Sequence, residues 1–187
     1  LIKKYEIEIV GNAPIIYNRM KKEVEDEKKK LKKNEMLEWE ENEWMKKAET
    51  NNGSAVLPKE WVMSMLINAC KSTRMVPHFE TRKSATYTKY VQSCIIKETS
   101  PLGNTKDLKP YGKYLPSQGA KGGGKVWRVR PMMENWSAKF TFVDPFGRMN
   151  KEELKELLEY GGMFIGIGDS RNQGFGRFDI ESIKELN

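Results

Sequence analysis

An α+β domain in which an antiparallel sheet is backed by two helices is predicted from three observations. Tyr5, Ile7 and Ile9 alternate with Lys4, Glu6 and Glu8, the period of a half-buried strand. Two segments, after Pro58 and after Asn150, carry apolar side chains at three- and four-residue spacing. Strand-like runs then fall between and after those helices, an order that alternates elements without the repeated crossovers of a parallel sheet.

The first strand ends at Gly11-Asn12. From about 18 to 50 the chain is rich in Lys and Glu with scattered Met20, Leu31, Leu37, Trp39 and Trp44, and no glycine or proline interrupts it, so one or two solvent-facing helices are expected as an insertion. Asn51-Asn-Gly-Ser54 breaks this helix. Leu57-Pro58 opens the next, with Pro58 placed in its first turn and Trp61, Met65, Leu66, Ala69 and Cys70 on one face. Tyr90 to Ile96 reads as a strand. Residues 99–126 turn to Pro, Gly, Lys and Tyr, too polar for a core element, and read as a long mobile excursion. Val126-Trp-Arg-Val-Arg130 and Ser137 to Val143 resume strand-like patterns. Asn150 caps a helix with Glu152 and Glu153 in its first turn and Leu154, Leu157 and Leu158 as its stripe, and Gly161-Gly162 is expected to stop it. Gly174 to Ile180 closes the chain as the last strand. Without the insertions the order is strand, helix, strand, strand, helix, strand, the ferredoxin-like (RRM-like) arrangement, and residues 1–187 are expected to form one domain.

Charge is distributed unevenly. The net charge of +7 arises in the middle of the chain, where residues 59–130 hold 14 Lys and Arg against 4 acids, while the ten basic and ten acidic residues of 18–50 cancel. A polyanionic partner fits this balance. The two cysteines show neither a disulfide pattern nor a zinc cluster, and no apolar run is long enough for a membrane span. A cytoplasmic protein without metal or cofactor is expected.

The most informative motif is Gly166-Ile-Gly168-Asp-Ser-Arg-Asn-Gln-Gly174-Phe-Gly176, two Gly-x-Gly pairs around a polar insert. Such pairs suit a turn pressed against a neighbouring element or a phosphate chain. The loop follows a helix and leads into a strand, the reverse of a dinucleotide fingerprint, which sets nicotinamide and flavin binding aside. Gly119 to Lys125 satisfies the first part of a P-loop, but Val126 stands where a magnesium-binding hydroxyl is needed.

Taken with the first strand and the helix after Pro58, the motif of Gly166, Gly168, Gly174 and Gly176 before Phe178 resembles the RAMP superfamily, the backbone subunits and RNA-processing enzymes of CRISPR systems. The chain looks most similar to stand-alone, phage-encoded relatives of the backbone subunit. This resemblance implies single-stranded RNA binding by a ferredoxin-like domain that stacks head to tail along a guide-like strand, in a host cytoplasm if phage-encoded, and presents that strand to a complementary target. It also implies a protruding thumb between the second and third strands, a position that the excursion at about 99–136 occupies.

The residue types agree with that implication. Lys113, Lys121, Lys125, Arg128 and Arg130 are interleaved with Tyr111, Tyr114 and Trp127, cations for phosphates and aromatic faces for unpaired bases. Lys71, Arg74, Arg82 and Lys83 are expected to continue the RNA path, and Arg171 and Arg177 flank the second glycine pair, suited equally to phosphate binding or to salt bridges with Asp169 and Asp179. The expected function is a non-catalytic RNA scaffold. One rival is a metal-independent endoribonuclease that uses His78, the only histidine, as general base, with Tyr87, Lys83 or Lys71 as its assistant. Another is an anti-defence protein that imitates a CRISPR backbone subunit.

Overall fold

The computed structural model describes residues 1–82, 85–116 and 124–186. Ten strands and five α-helices occur among them in the order β1 (Lys3–Gly11), β2 (Ile15–Ile16), α1 (Lys22–Lys29), α2 (Glu35–Asn42), β3 (Thr50–Asn51), β4 (Ser54–Val56), α3 (Lys59–Thr73), α4 (Tyr87–Gln92), β5 (Ile95–Lys97), β6 (Pro101–Asn104), β7 (Lys109–Pro116), β8 (Lys125–Met133), β9 (Ser137–Asp144), α5 (Lys151–Tyr160) and β10 (Phe178–Leu186).

Four strands form the main sheet in the order β10-β1-β9-β5, every neighbouring pair antiparallel. With α3 and α5 as crossovers this is the expected ferredoxin-like arrangement. The alternation in β1 sets its register: Tyr5, Ile7 and Ile9 are buried, as are Phe140 and Phe142 from β9 and Phe178 and Ile183 from β10. Val62, Met65, Leu66, Ala69 and Cys70 of α3 meet Leu154, Leu157 and Leu158 of α5 over that face, whereas Trp61 only borders the core. Burying one such aliphatic or aromatic side chain contributes about 1.5–3 kcal/mol. Cys70 and Cys94 are buried free thiols, both pushed up to about 12 by burial.

The opposite face of the sheet is polar. Lys139 Nζ lies 2.5 Å from Glu8 Oε1 and 3.6 Å from Glu6 Oε1, and its hydrogen bond holds the Glu8 carboxyl below the ordinary range. Carboxylates stand here where base stacking would require aromatic rings.

Helix boundaries follow their chemistry. Asn150 and Glu153 form a reciprocal capping box at the start of α5, as the sequence indicates. Pro58 is the N-cap of α3 instead of a residue of its first turn. Gly161-Gly162 does not stop α5. The chain continues through a π-turn at Gly161–Ile165, closed by the Gly166 N–H donating to Gly161 O at 2.7 Å. Gly162 has a different purpose, since a Cβ there would lie 2.3 Å from the carbonyl oxygen of Phe178; its missing side chain lets the turn pack on β10.

Three other expectations require correction. Tyr90 to Ile96 is not one strand: Tyr87 and Val91 turn inward four residues apart on α4, and only Ile95–Lys97 joins the sheet. The aromatic and β-branched residues suggest a strand, but the period of burial is helical. The polar segment 101–116 is not an irregular excursion. It supplies β6, which pairs with β4, and β7, which pairs with β8 over eight residues in a long hairpin. Backbone pairing needs no burial, and cross-strand aromatic contacts support it. The final strand runs from Phe178 to Leu186, later than expected, because Gly174 and Gly176 adopt positive φ and belong to the loop.

Candidate nucleic-acid interface

The glycine loop is pressed against protein. The Gly176 N–H donates to Pro14 O at 2.7 Å, the Ile167 N–H to Gly176 O at 2.9 Å and the Asp169 N–H to Ile16 O at 2.9 Å, so the loop closes on itself, on β2 and on the residue that precedes it. A Cβ on Gly176, at φ +68, would meet the Ile167 carbonyl oxygen at 1.7 Å. Of the two roles open to the motif, packing against a neighbouring element accounts for this geometry.

The β7–β8 hairpin is joined to that loop through one of its faces. Residues opposite one another across the two strands share a face, and Tyr111 is opposite Arg130 while Lys113 is opposite Arg128. Arg130 pairs with Asp169 and donates to Ser170 Oγ at 2.9 Å; Lys113 Nζ reaches Gln173 Oε1 at 2.5 Å; the Tyr111 and Phe175 rings lie 5.3 Å apart. Asp169 therefore finds its partner in the hairpin and not in Arg171, two residues on. Arg177 donates to the Arg171 carbonyl at 3.2 Å, while Asp179 accepts from Asn12.

The other face presents Tyr114 and Trp127, opposite each other with ring centroids 4.9 Å apart, and Lys125. Tyr114 is 62% exposed. Trp127 is fixed from two sides: its Nε1 donates to Glu41 Oε1 at 2.5 Å, and its ring covers Gly112, where a Cβ would sit 2.3 Å from the indole. A held aromatic pair beside a cation suits stacking of unpaired bases with little ordering cost.

The helical insertion positions this hairpin, a role for which the sequence carries no local signal. Glu40, fully buried, pairs with Lys28 and Lys47, accepts from Arg128 Nη1 at 2.9 Å, and accepts from the Val129 N–H at 2.8 Å. Lys47 Nζ in turn donates to Val129 O at 2.5 Å. Burial alone would raise the Glu40 carboxyl, but hydrogen bonds from Lys28, Lys47 and the Val129 N–H bring it down to about 2. Burial lowers Lys47 to about 8. The helices are thus not merely solvated: α1 buries nothing, while α2 buries Trp39 and Glu40. Glu40 is one acid among many in the run, and only its position relative to Val129 distinguishes it.

The basic residues expected to form one path occupy two ends of the sheet. The strand registers place Gly11, Phe178 and Ser137, with the glycine loop and hairpin, at one end and Lys3, Leu186 and Asp144 at the other. Lys71 and Arg74 close α3 at that second end, and Arg82 lies in the segment that follows. A nine-residue strand, about 30 Å, separates the two groups. Lys83 and Lys121 lie outside the described residues.

His78 belongs to the second end. Its Nδ1 is 2.9 Å from both Glu153 carboxylate oxygens, and its backbone N–H donates to the same side chain, so the imidazole and the capping box share one carboxylate. Tyr87 is buried, and the side chain that holds the imidazole is Glu153 and not Lys71. Among the described residues no three His, Cys, Asp or Glu side chains converge as a metal-ligand set, and no described helix is long and apolar enough to cross a membrane.

No protein family and no curated protein matches the chain by sequence. Solved structures do match its fold. A chain from the cryo-EM structure of the type III-B Cmr-beta bound to cognate target RNA aligns over 100% of this chain with a TM-score of 0.54 and 8% identity. This chain covers 61% of that longer one, and the likeness is one of fold.

Proposed function

We propose that this protein is a non-catalytic, single-stranded RNA-binding protein of RAMP type that assembles along a small guide-like RNA and presents it for pairing with a complementary strand. The observation that carries the reading is the β7–β8 hairpin. It stands between the second and third strands of a ferredoxin-like sheet and offers Tyr114, Trp127 and Lys125 on one face, with Lys113 and Arg128 on the other. The fold it shares with a chain of the type III-B Cmr-beta bound to cognate target RNA supports the same reading. In this reading residues 1–187 act as one domain and the RNA contacts concentrate at the hairpin end, since the open sheet face presents Glu6 and Glu8.

In this proposal the labour is divided. Lys113 and Lys125 neutralise phosphates, Tyr114 and Trp127 stack bases, and Arg128 and Arg130 hold the hairpin to the insertion and the glycine loop. Specificity comes from base pairing by the bound strand, and 2′-hydroxyl contacts distinguish RNA from DNA.

The test is to purify the protein from cells that co-express its neighbouring genes, measure its sedimentation and absorbance ratio, and sequence any extracted nucleic acid. Large particles with a discrete small RNA are expected. A nucleic-acid-free monomer that binds no single-stranded RNA would overturn the proposal.

A further inference from the structure

At the end of the sheet remote from the hairpin, the loop before α4, α4 itself and the turn after β9 enclose a cleft of about 570 Å³. Its floor is aromatic. Tyr90 sits between Phe79 and Phe146, with centroid distances of 5.1 and 5.9 Å. The Tyr90 ring is anchored because its hydroxyl donates to Asp144 Oδ1 at 2.6 Å and accepts from the Arg148 N–H at 3.1 Å. Phe146, by contrast, is 56% exposed.

The rim is cationic. Lys89 and Arg82 line the cleft, and the Arg148 guanidinium lies 5.6 Å over the Phe79 ring. Glu80 is the acid in the lining, at 3.9 Å from an Arg82 whose side chain is 80% exposed, a contact too long to hold that guanidinium in place. An exposed aromatic ring beside two exposed cations, in a volume suited to a small ligand, matches a planar base carrying a phosphate.

We infer that this cleft is a second nucleotide-binding site, which stacks one unpaired base on Phe146 and holds its phosphate with Lys89 and Arg82. The inference deepens the RNA-binding reading and rests on it for the strand. The same chemistry would also admit a free mononucleotide.

Calorimetric titration of the full chain with uridine 5′-monophosphate and with a short oligouridylate tests it, in the wild type, Phe146→Ala, Lys89→Glu and Lys113→Glu/Lys125→Glu. The cleft variants are expected to weaken binding of at least one probe by roughly tenfold or more, the size of one base stacked on an aromatic ring. A response confined to the oligomer assigns the site to a strand nucleotide, and one confined to the monophosphate assigns it to a free nucleotide. Unchanged affinity for both probes in both cleft variants, or no binding of either probe by the wild type, overturns the inference. The hairpin variant separates it from the preceding proposal, because oligouridylate binding that survives this variant counts against the hairpin alone. Phe146 is exposed, so its truncation should not unfold the domain.

Discussion

Glu40 shows how much depends on a single side chain. It neutralises Lys28, Lys47 and Arg128 and occupies the Val129 N–H, so Glu40→Ala would leave the buried Lys47 ammonium without its carboxylate. A loss of about 3–5 kcal/mol is expected, read as a fall in Tm on the order of 10 °C. The pH dependence has a definite sign. The folded carboxyl lies at about 2 against an ordinary 4.5, so the unfolded chain takes up the proton first. Its stabilisation is complete above pH 4.5 and disappears as pH falls towards 2; denaturant titrations across that interval should show wild-type stability falling more steeply than that of Glu40→Gln. Gly176 makes a second residue-scale case: Gly176→Ala combines a positive φ with a backbone clash and is expected to cost about 2 kcal/mol or more by chemical denaturation. Its place in the glycine motif is legible in the sequence, but what the motif presses against is not, because Pro14 lies far away in the chain. Glu40 cannot be distinguished from its acidic neighbours at all, since a buried carboxylate is identified by its distant partners.

Among elements, those with a strong period are legible in the sequence and those whose pairing is remote are not. The β1 alternation, the α3 stripe and the α5 cap all depend on neighbouring residues, and each stands where its residues indicate. β7 is hidden as structure because its Lys, Gly and Tyr pair with β8 while themselves not buried, although the hairpin's cations and aromatics stand out as a group. The hairpin's lysines and arginines now have separate expectations. Lys113→Glu/Lys125→Glu should abolish RNA retention, leave the far-ultraviolet circular dichroism and Tm within error, and reduce the salt slope of any residual binding by about 0.7 for each phosphate no longer neutralised. Reversal of Arg128 and Arg130 should instead lower Tm, because these side chains hold the hairpin to Glu40 and Asp169. Equal effects of the two double variants on Tm would refute this division.

For the whole molecule, the sheet registers separate what the sequence places in one basic stretch. His78 and Arg82 sit about one strand length from Trp127 and Lys113, so a histidine-based cleavage site would not share a strand position with the hairpin. Incubation of the wild type and His78→Ala with labelled RNA is expected to leave the RNA intact in both. Cleavage that disappears in the variant would replace the scaffold reading with the nuclease one. The distribution of charge along the chain points to the basic hairpin, but its order in sequence does not show that Lys71, Arg74 and Arg82 lie at one end of the sheet and Lys113, Arg128 and Arg130 at the other.

The contact of Glu40 and Lys47 with Val129 has one more consequence. On its outer side β8 has β2 for only two residues, and further along Val129 offers an N–H and a C=O that a strand from another chain could take. Two side chains of the insertion occupy both groups, so the helices act as a guard on an otherwise open sheet edge. Shortening the protein by removing residues 18–50 would therefore not give a smaller soluble domain. It would expose a template for intermolecular strand addition, and the product should gather into aggregates whose infrared spectrum reports new β-structure.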